Sequence, residues 1–350
     1  MANPGLGGSP ADAVPGVERV LNQALQWLDR SVGYDAARAL AYDPEVLIPV
    51  SLTAREPLLD RERIVAACWN EQAEADVGKF ADLAQSRRHV AVLTAQQAEA
   101  RQSRRWQNLI LPDGWRHELR AVAVDDQGHC WGSITAFRDG RRAFTGRDVA
   151  TVGRELGQLA VGLSRAMVAG AAPSQPAGPG SLWLSETGEL LSATLAGRQW
   201  LHQLQIPEMR GRAETVLAGL TVKAAAAAAR PGPDGMARPV GLRARGVDGQ
   251  WIGLYAEPVT GPGGRAQGIS VVIGPAPPGT VLPMLEAAYG LTEREREVIH
   301  CVLAGLSTRD ISTSLHISGY TVQDHLKAIF AKVGVTSRGE LAHRLALQFT

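Results

Sequence analysis

The sequence predicts an α+β chain of three structural units, of which the first two contain antiparallel sheet and the last is all-α. Two stretches rich in Pro, Gly and Ala, 170–180 and 274–280, divide the chain as linkers do. Between and before them, runs with strand patterns occur together with helical runs. After the second stretch, four short segments carry helix capping signals. The predicted division is a flexible N-terminus at 1–16 and units at 17–169, 181–273 and 281–350.

The composition of the chain is that of an ordinary globular protein. Its 350 residues suit two or three domains, and 45% apolar with 20% charged residues is a typical mixture. With a net charge of +1, any surface for nucleic acid has to be local. The three cysteines lie far apart, without metal or redox spacing, and no uninterrupted apolar run reaches about 18 residues. We therefore expect a soluble, cytoplasmic protein with no membrane contact, metal or cofactor.

The first unit is predicted to begin with a helix near Val17–Asp29, followed by further helical stretches up to about Gln107. The segment "HELRAVAVDDQGHCWGSITAF" then predicts two strands around an Asp-Asp-Gln-Gly turn. A long helix follows from about Gly146, with Thr145 as its cap and apolar residues at three- and four-residue steps. That helix either covers its own sheet or continues as a dimerisation or signalling helix, and the two interpretations are compatible.

The second unit contains five strand candidates, with helical residues between the second and the third. The candidates are 182–185, 189–192, 239–245, 250–257 and 268–273. This order of elements, with the segment "LWLSETGELLSATLAGRQWL", resembles a PAS domain. The first unit is similar to a GAF domain on the segment "CWGSITAFRDGRRAFTGRDVATVGREL". Both resemblances imply a sheet with a pocket that holds a small ligand in some members and serves only for dimerisation in others.

The third unit is predicted to form four short helices. Thr292 and Glu295 form a capping box, Gly305 can end that first helix, and Ser307 can cap a second one, "TRDISTSL". A tight turn at 316–318 leads to a third helix from about Tyr320 to Val333, with Gly334 after it; Ser337 and Glu340 form a second capping box before the fourth helix. Two helices joined by about four residues have helix-turn-helix geometry.

The residues of this unit resemble the DNA-binding domain of LuxR-type regulators, also called the FixJ or GerE type. The matching positions are Leu291-Thr292, Arg296-Glu297-Val298, Gly305-Leu306-Ser307, Ile311, Leu315, Ile317-Ser318, Thr321-Val322, His325, Lys332, Gly334-Val335 and Arg338. The overall plan is similar to actinobacterial members with GAF- and PAS-like sensor regions. The resemblance implies a transcription factor whose third helix enters the major groove of double-stranded DNA and whose fourth helix dimerises.

The third helix supplies most of the predicted DNA contacts, because its apolar side is needed for the core. Gln and Lys on the remaining side can donate hydrogen bonds to bases or phosphates. The predicted DNA-binding residues are Thr308, Arg309, Tyr320, Thr321, Gln323, Asp324, Lys327, Lys332 and Arg338. Leu341 and Leu345 are predicted at the dimer contact, unless they only complete the core. From 291 to 350, seven Lys/Arg against six Asp/Glu give +1, so we expect a homodimer on a near-palindrome with half-sites about 10 bp apart.

Some positions depart from the family pattern. Many members have a basic residue where this chain has Gln323, Gly where it has His316, and Ala where it has Ser312. His tolerates a left-handed backbone better than most residues. A carboxylate on a surface that meets phosphates is unexpected: Asp324 either accepts a hydrogen bond from the N4 amino group of cytosine or pairs with Lys327, three residues on, and orients it.

Other protein classes fit less well. A sigma factor would need a helical region rich in aromatic residues upstream, but 181–273 has the alternating pattern of a sheet. A response regulator would need a series of acidic residues, and no such series follows Asp125-Asp126. A nucleotide-driven switch would need a phosphate-binding loop, which the Gly78-Lys79 pair lacks. An enzyme would need a nucleophile–base pair, and the adjacent His129-Cys130 would point to opposite faces of a strand. The sequence does not exclude an autoinducer receptor. It also leaves open whether RNA polymerase or a small-molecule effector is a further partner.

Overall fold

The computed structural model describes residues 16–55, 61–140, 142–169, 178–204, 212–229, 239–246, 250–261 and 266–346. Apart from residue 16, the predicted flexible N-terminus lies outside the described residues, as does 170–177 of the first predicted linker. No helix within the described ranges is both long and apolar enough to cross a membrane.

The first unit is a five-stranded antiparallel sheet between two groups of helices. The strand order is β2-β1-β5-β4-β3. The elements are α1 (Val17–Ser31), β1 (Ala36–Asp43), β2 (Ile48–Ala54), α2 (Arg61–Gln72), α3 (Phe80–Gln85), β3 (Val90–Thr94), α4 (Ala98–Gln102), β4 (His117–Val124), β5 (Cys130–Arg138) and α5 (Gly146–Val168), with helical turns at Trp106–Ile110 and Leu111–Asp113 between α4 and β4.

The predicted hairpin and both long helices of this unit are confirmed, but the expectation of helical stretches up to Gln107 is wrong in part. Strands β1, β2 and β3 lie in that region. The alanine-rich β1, "AARALAYD", has a helical local preference that is overridden by pairing with β2 and β5 and by burial of Ala37, Ala39 and Ala41. Contacts distant in sequence therefore decide the conformation of β1.

Helix α5 begins where the sequence predicts and covers its own sheet. The Thr145 hydroxyl accepts from the amide of Asp148, whose carboxylate accepts from the amide of Thr145, which completes a capping box. Val152, Leu156 and Leu163 are buried against the sheet and α1. The same helix also contacts the chain segment that leads into the third unit, so the two interpretations of α5 are compatible in the structure as well.

The second unit repeats the strand order of the first. Its sheet runs β7-β6-β10-β9-β8, and all neighbours are antiparallel. All five predicted strands are confirmed to within about three residues, and the helices lie in the predicted gap. The elements are β6 (Gly180–Leu184), β7 (Leu190–Ala193), α6 (Leu195–Leu204), α7 (Arg212–Ala228), β8 (Val240–Arg245), β9 (Trp251–Thr260) and β10 (Ala266–Pro275).

The two sheet units share an interface formed mainly by α7. This helix packs against α2 and β2 of the first unit. Lys223 Nζ donates to the carbonyl of Val46. Gly219 approaches so closely that an added Cβ would lie 2.9 Å from Ile48 Cγ2. The buried ion pair of Asp43 with Arg243 joins β1 to β8.

The interpretation of 274–280 as a linker is wrong. Gly274 and Pro275 continue β10 and pair with Gly253 and Ile252, and helix α8 (Pro278–Ala288) begins three residues later. Proline at a strand end needs no ladder donor, and proline in the first helical turn has no amide to leave unpaired. Helix α8 packs against α5, so the third unit is connected to the first two by a packed helix.

Candidate nucleic-acid interface

Four helices with well-formed caps build the third unit after α8. They are α9 (Glu293–Leu303), α10 (Thr308–Ser314), α11 (Gly319–Val333) and α12 (Arg338–Ala346). Thr292 with Glu295, and Ser307 with Asp310, form capping boxes at α9 and α10. At α12, Ser337 accepts from the amide of Glu340 as predicted, but the Glu340 carboxylate binds the amide and hydroxyl of Thr336 instead of closing the box.

The turn between α10 and α11 has the geometry that the sequence predicts. His316 adopts a left-handed conformation with φ of 54°, and the amide of Ile317 donates to the carbonyl of Ser312 at 3.1 Å. Ser318 then caps α11 by accepting from the amide of Thr321 at 3.0 Å. Gly334, with φ of 73°, ends α11 in the left-handed conformation.

The apolar side of α11 packs into the core of the four helices and fixes which side faces solvent. Val322, Leu326, Ile329 and Val333 are buried. They pack with Val298, Ile299 and Val302 of α9, Ile311 of α10, and Leu341 and Leu345 of α12. Burying these side chains contributes on the order of 1.5–3 kcal/mol each, which holds the orientation of α11 about its own axis.

The solvent-facing side of α11 carries the residues predicted to meet DNA. Tyr320 is 79% exposed, and Gln323, Asp324 and Lys327 are exposed along the same side. Gln323 Nε2 donates to Thr308 Oγ1 at 3.3 Å, so the start of α10 lies beside this face. Arg309, the next residue of α10, is exposed as well, whereas Thr321 is half-buried and its hydroxyl pairs with that of Ser318. We call the surface formed by these exposed residues and the start of α10 the α10–α11 face; it consists of Tyr320, Gln323, Asp324, Lys327, Thr308 and Arg309.

Asp324 and Lys327 form an ion pair on this face. Lys327 Nζ lies 3.6 Å from Asp324 Oδ1, and the two side chains are 74% and 57% exposed, respectively. An exposed pair at this spacing contributes about 0–1 kcal/mol to stability. Its geometry favours the interpretation in which Asp324 orients Lys327.

Two other predicted contact residues have partners inside the domain. Lys332 Nζ donates to Glu295 Oε2 at 2.6 Å and to the carbonyl of Gly290 at 2.9 Å. Burial acts to raise the pKa of Glu295, but hydrogen bonds from Lys332 and Thr292 outweigh it and lower that pKa below its ordinary value. Arg338 donates to the carbonyl of Leu306. Both cations therefore stabilise the helix arrangement, whatever their contact with DNA.

The leucines predicted at the dimer contact lie inside the domain. Leu341 and Leu345 are 0% and 1% exposed and belong to the core cluster. The alternative interpretation, that they complete the core, describes their position in the single chain. Because α12 has one side buried by these leucines, a second copy would have to meet its exposed side, where His343 and Arg344 lie.

A second group of charged residues, which sequence reasoning missed, lies in the first unit. Glu118 and Arg120 are buried on one face of β4, and Arg105 and Glu71 are their partners. The signal was present: two charged residues at i and i+2 on an otherwise apolar strand share one face. The partners are distant in sequence, so the pairs themselves carry no local signal.

The structure offers little for catalysis within its described ranges. Burial raises the pKa of Cys130 to about 12, which keeps it a thiol, and His129 bonds to Asp125. No group of three or more His, Cys, Asp or Glu side chains suited to a metal occurs among the residues that are described.

Comparison with known proteins identifies the third unit. A family model described as "Bacterial regulatory proteins, luxR family" matches residues 290–345. A protein of Mycobacterium tuberculosis named as an HTH-type transcriptional regulator is 45% identical over 56 residues, which is 16% of this chain and 6% of that protein. The Monoamine regulon transcriptional regulator of Klebsiella aerogenes is 46% identical over 76 residues, 18% of this chain and 34% of that protein. The chain thus spans about a third or less of these relatives, whose names agree with the prediction of a regulator rather than an enzyme.

Among solved structures, the similarity is weak. A Vibrio VqmA–ligand–DNA complex is 19% identical with a TM-score of 0.25, over 48% of this chain and 80% of that one. The GAF domain of a Bacillus halodurans sensor histidine kinase is 13% identical with a TM-score of 0.29, over 42% and 92%. TM-scores this low carry no weight for fold or function.

Proposed function

We propose, from the membership of residues 290–345 in the LuxR family of bacterial regulatory proteins, that the chain is a sequence-specific DNA-binding transcriptional regulator. The observation that carries the proposal is the orientation of helix α11. The helix is capped, its apolar side is buried in the core, and its polar side, part of the α10–α11 face, is exposed to solvent. A helix held in this way enters the major groove in helix-turn-helix proteins.

On this proposal, the side chains of the α10–α11 face divide between reading bases and holding the backbone. Gln323 has the donor and acceptor pair suited to adenine, and it is already positioned by Thr308. Lys327, oriented by Asp324, and Arg309 have the charge suited to phosphate. Asp324 also cancels part of the local positive charge, which lowers affinity for DNA of any sequence.

The modest charge of one domain supports binding as a homodimer. A single α10–α11 face offers few phosphate contacts, and doubling them through a second copy multiplies the affinity. Two copies related by a two-fold axis would bind a near-palindrome with half-site centres about one helical turn apart. The exposed side of α12 is the proposed contact between copies, in place of its buried leucines.

The two sheet units are proposed to control DNA binding. Helix α8 connects them to the third unit: it packs on α5, and the carbonyl of Thr280 in α8 accepts from Arg243 Nη1 at 2.5 Å. Gln127, in the β4–β5 turn, also donates to the carbonyl of Leu291 at 3.4 Å. These contacts support transmission of a change in the sheet units to α8, and a small-molecule effector bound in the sheet units would act through that connection. RNA polymerase is a further proposed partner.

Selection of bound duplexes from a random library with the full chain tests this function. We expect enrichment of one near-palindromic motif and a binding stoichiometry of two chains per site. The control is the same selection with a variant in which Tyr320 and Gln323 are both Ala, exposed positions whose loss leaves the core intact. Recovery of only random sequence by the wild type would refute the proposal.

A further inference from the structure

A cavity of about 400 Å³ lies on the face of the first sheet opposite α1 and α5. Its floor is formed by β1, β4 and β5, one side by α2 and α3, and part of its wall by α7 of the second unit, through Thr215, Gly219 and Lys223. The volume is within the range of sites for small organic molecules. The lining is mostly apolar, with Leu40, Leu52, Ile64, Phe80, Ile110 and Phe137 among its residues.

The polar part of this cavity is a row of side chains across three strands. Arg38 of β1, Thr135 of β5 and Arg120 of β4 are directly opposite one another in the register. In the next row, Phe137 of β5 is opposite Glu118 of β4. Cross-strand neighbours share a face, so the guanidinium groups of Arg38 and Arg120 lie on the cavity side of the sheet.

Arg120 is a buried arginine on the cavity side of the sheet whose hydrogen-bond donors are not all paired. It is 3% exposed, its Nη2 donates to Glu71 Oε1 at 2.5 Å, and its Cζ lies 3.6 Å from the centroid of the Phe80 ring. Its Nε and Nη1 are buried without a hydrogen-bond partner. Buried donors of a charged group are rarely left unpaired in proteins, so these two atoms need an acceptor.

The positive charge of Arg120 itself favours an anionic acceptor over a neutral one. The described lining residues include four cations, Arg38, Arg105, Arg120 and Lys223, against two carboxylates, Glu71 and Glu118. Burial acts to lower the pKa of Arg120, but Glu71 and Glu118 outweigh it and hold that pKa above its ordinary value, so the guanidinium stays charged. Arg105, Glu118 and Arg120 also border a smaller cavity of about 210 Å³, so the charged groups lie where the two spaces approach each other.

We infer that this cavity binds a small organic acid with an aromatic or branched aliphatic body, its carboxylate accepting from the unpaired N–H groups of Arg120. The body packs on Phe80, Phe137 and the aliphatic wall. Because α7 forms part of the cavity wall, the bound acid contacts both sheet units at once. The assignment deepens the proposed sensing role. Its expected consequence, a change in DNA affinity, rests on the proposed function, whereas binding of the acid does not, since it is measured without DNA.

Isothermal titration of the full chain tests the inference with phenylacetate, 4-phenylbutyrate and 2-naphthoate, each paired with its primary amide. At least one acid should bind about tenfold or more tightly than its amide, because the amide lacks the charge that Arg120 needs. Equal affinity of acids and amides, or absence of heat for all three acids, would overturn the assignment.

Two variants locate the site. Arg120→Gln should weaken binding of the acid about tenfold or more, while Arg138→Gln, which removes a buried arginine of β5 outside the cavity lining, should leave it within about twofold. Ala67→Phe fills the cavity without changing its charge and should abolish binding while circular dichroism shows a folded chain. Unchanged binding in a folded Ala67→Phe variant would contradict the location. A chain that binds acid but selects no DNA motif would refute the proposed function and leave this inference standing.

Discussion

Removing the carboxylate of Asp43 should destabilise the interface between the two sheet units more than any surface substitution. Asp43 is fully buried and accepts three hydrogen bonds from Arg243: from the amide at 3.0 Å, from Nε at 2.9 Å and from Nη2 at 2.8 Å. Arg243 also donates to Glu45 and to the carbonyl of Thr280. The pair thus links β1, β8 and the start of α8.

The magnitude follows from what Asp43→Ala leaves behind. Arg243 would keep its charge in a buried position with Glu45 as its remaining carboxylate partner, and the Glu45 side chain is 67% exposed. Breaking a buried ion pair in this way costs about 3–5 kcal/mol. Removing Glu45 instead, by Glu45→Ala, should cost only about 0–1 kcal/mol, because the Glu45 side chain is mostly in solvent and Arg243 keeps its buried partner Asp43.

Urea unfolding of the full chain, followed by far-ultraviolet circular dichroism, measures the difference. The wild type, Asp43→Ala, Glu45→Ala and the double replacement Asp43→Leu with Arg243→Met should be compared. The double replacement should recover much of the loss, since a matched apolar pair leaves no isolated charge. A loss below about 1 kcal/mol for Asp43→Ala, equal to that of Glu45→Ala, would refute the reasoning.

The remaining predictions concern the third unit. Lys327→Ala should weaken binding to all DNA sequences and lower the slope of log affinity against log salt by about 0.9, measured by fluorescence anisotropy at two salt concentrations; an equal effect of Arg296→Ala on α9 would contradict a specific contact. Asp324→Ala should raise affinity for random duplex and keep the selected motif; loss of discrimination at one base pair, by roughly 1–3 kcal/mol, would instead show that Asp324 reads a base. Because the pKa of Glu295 is lowered in the folded state, its stabilising effect is present above the ordinary value of about 4.3 and is lost as pH falls through the lowered pKa. Lys332→Met should reduce that pH dependence in urea unfolding.

The third unit was predictable because its signals are local. Thr292, Ser307 and Ser318 each cap a helix within three residues, and Gly334 ends α11 by its own backbone conformation. The apolar spacing on α11 then leaves one side for solvent. Such features depend on neighbours in sequence, so the helices and the exposed side of the α10–α11 face follow from the amino-acid sequence alone.

The first unit was less predictable because its determinants are distant in sequence. The alanine-rich β1 is a strand through its pairing with β5 about 95 residues later, and Asp43 finds Arg243 200 residues away. The sequence places Glu118 and Arg120 on one face of a strand but does not show that Glu71 and Arg105 meet them. The role of Lys332 depends likewise on the packing of α9 against α11, and that of Arg338 on the position of α12 beside Leu306, which no local pattern encodes.

The exposed side of α11 is proposed to read DNA sequence, and the function of the whole chain depends on it. The most direct measurement compares the base preferences of the full-length wild type and Gln323→Ala by selection from one random duplex library, with Arg296→Ala as the matched control. We predict that the wild type and Arg296→Ala enrich the same near-palindrome. Gln323→Ala should lose its preference at one symmetric pair of positions, with a discrimination loss of about 1–3 kcal/mol. An identical motif with identical discrimination from Gln323→Ala would contradict the proposal.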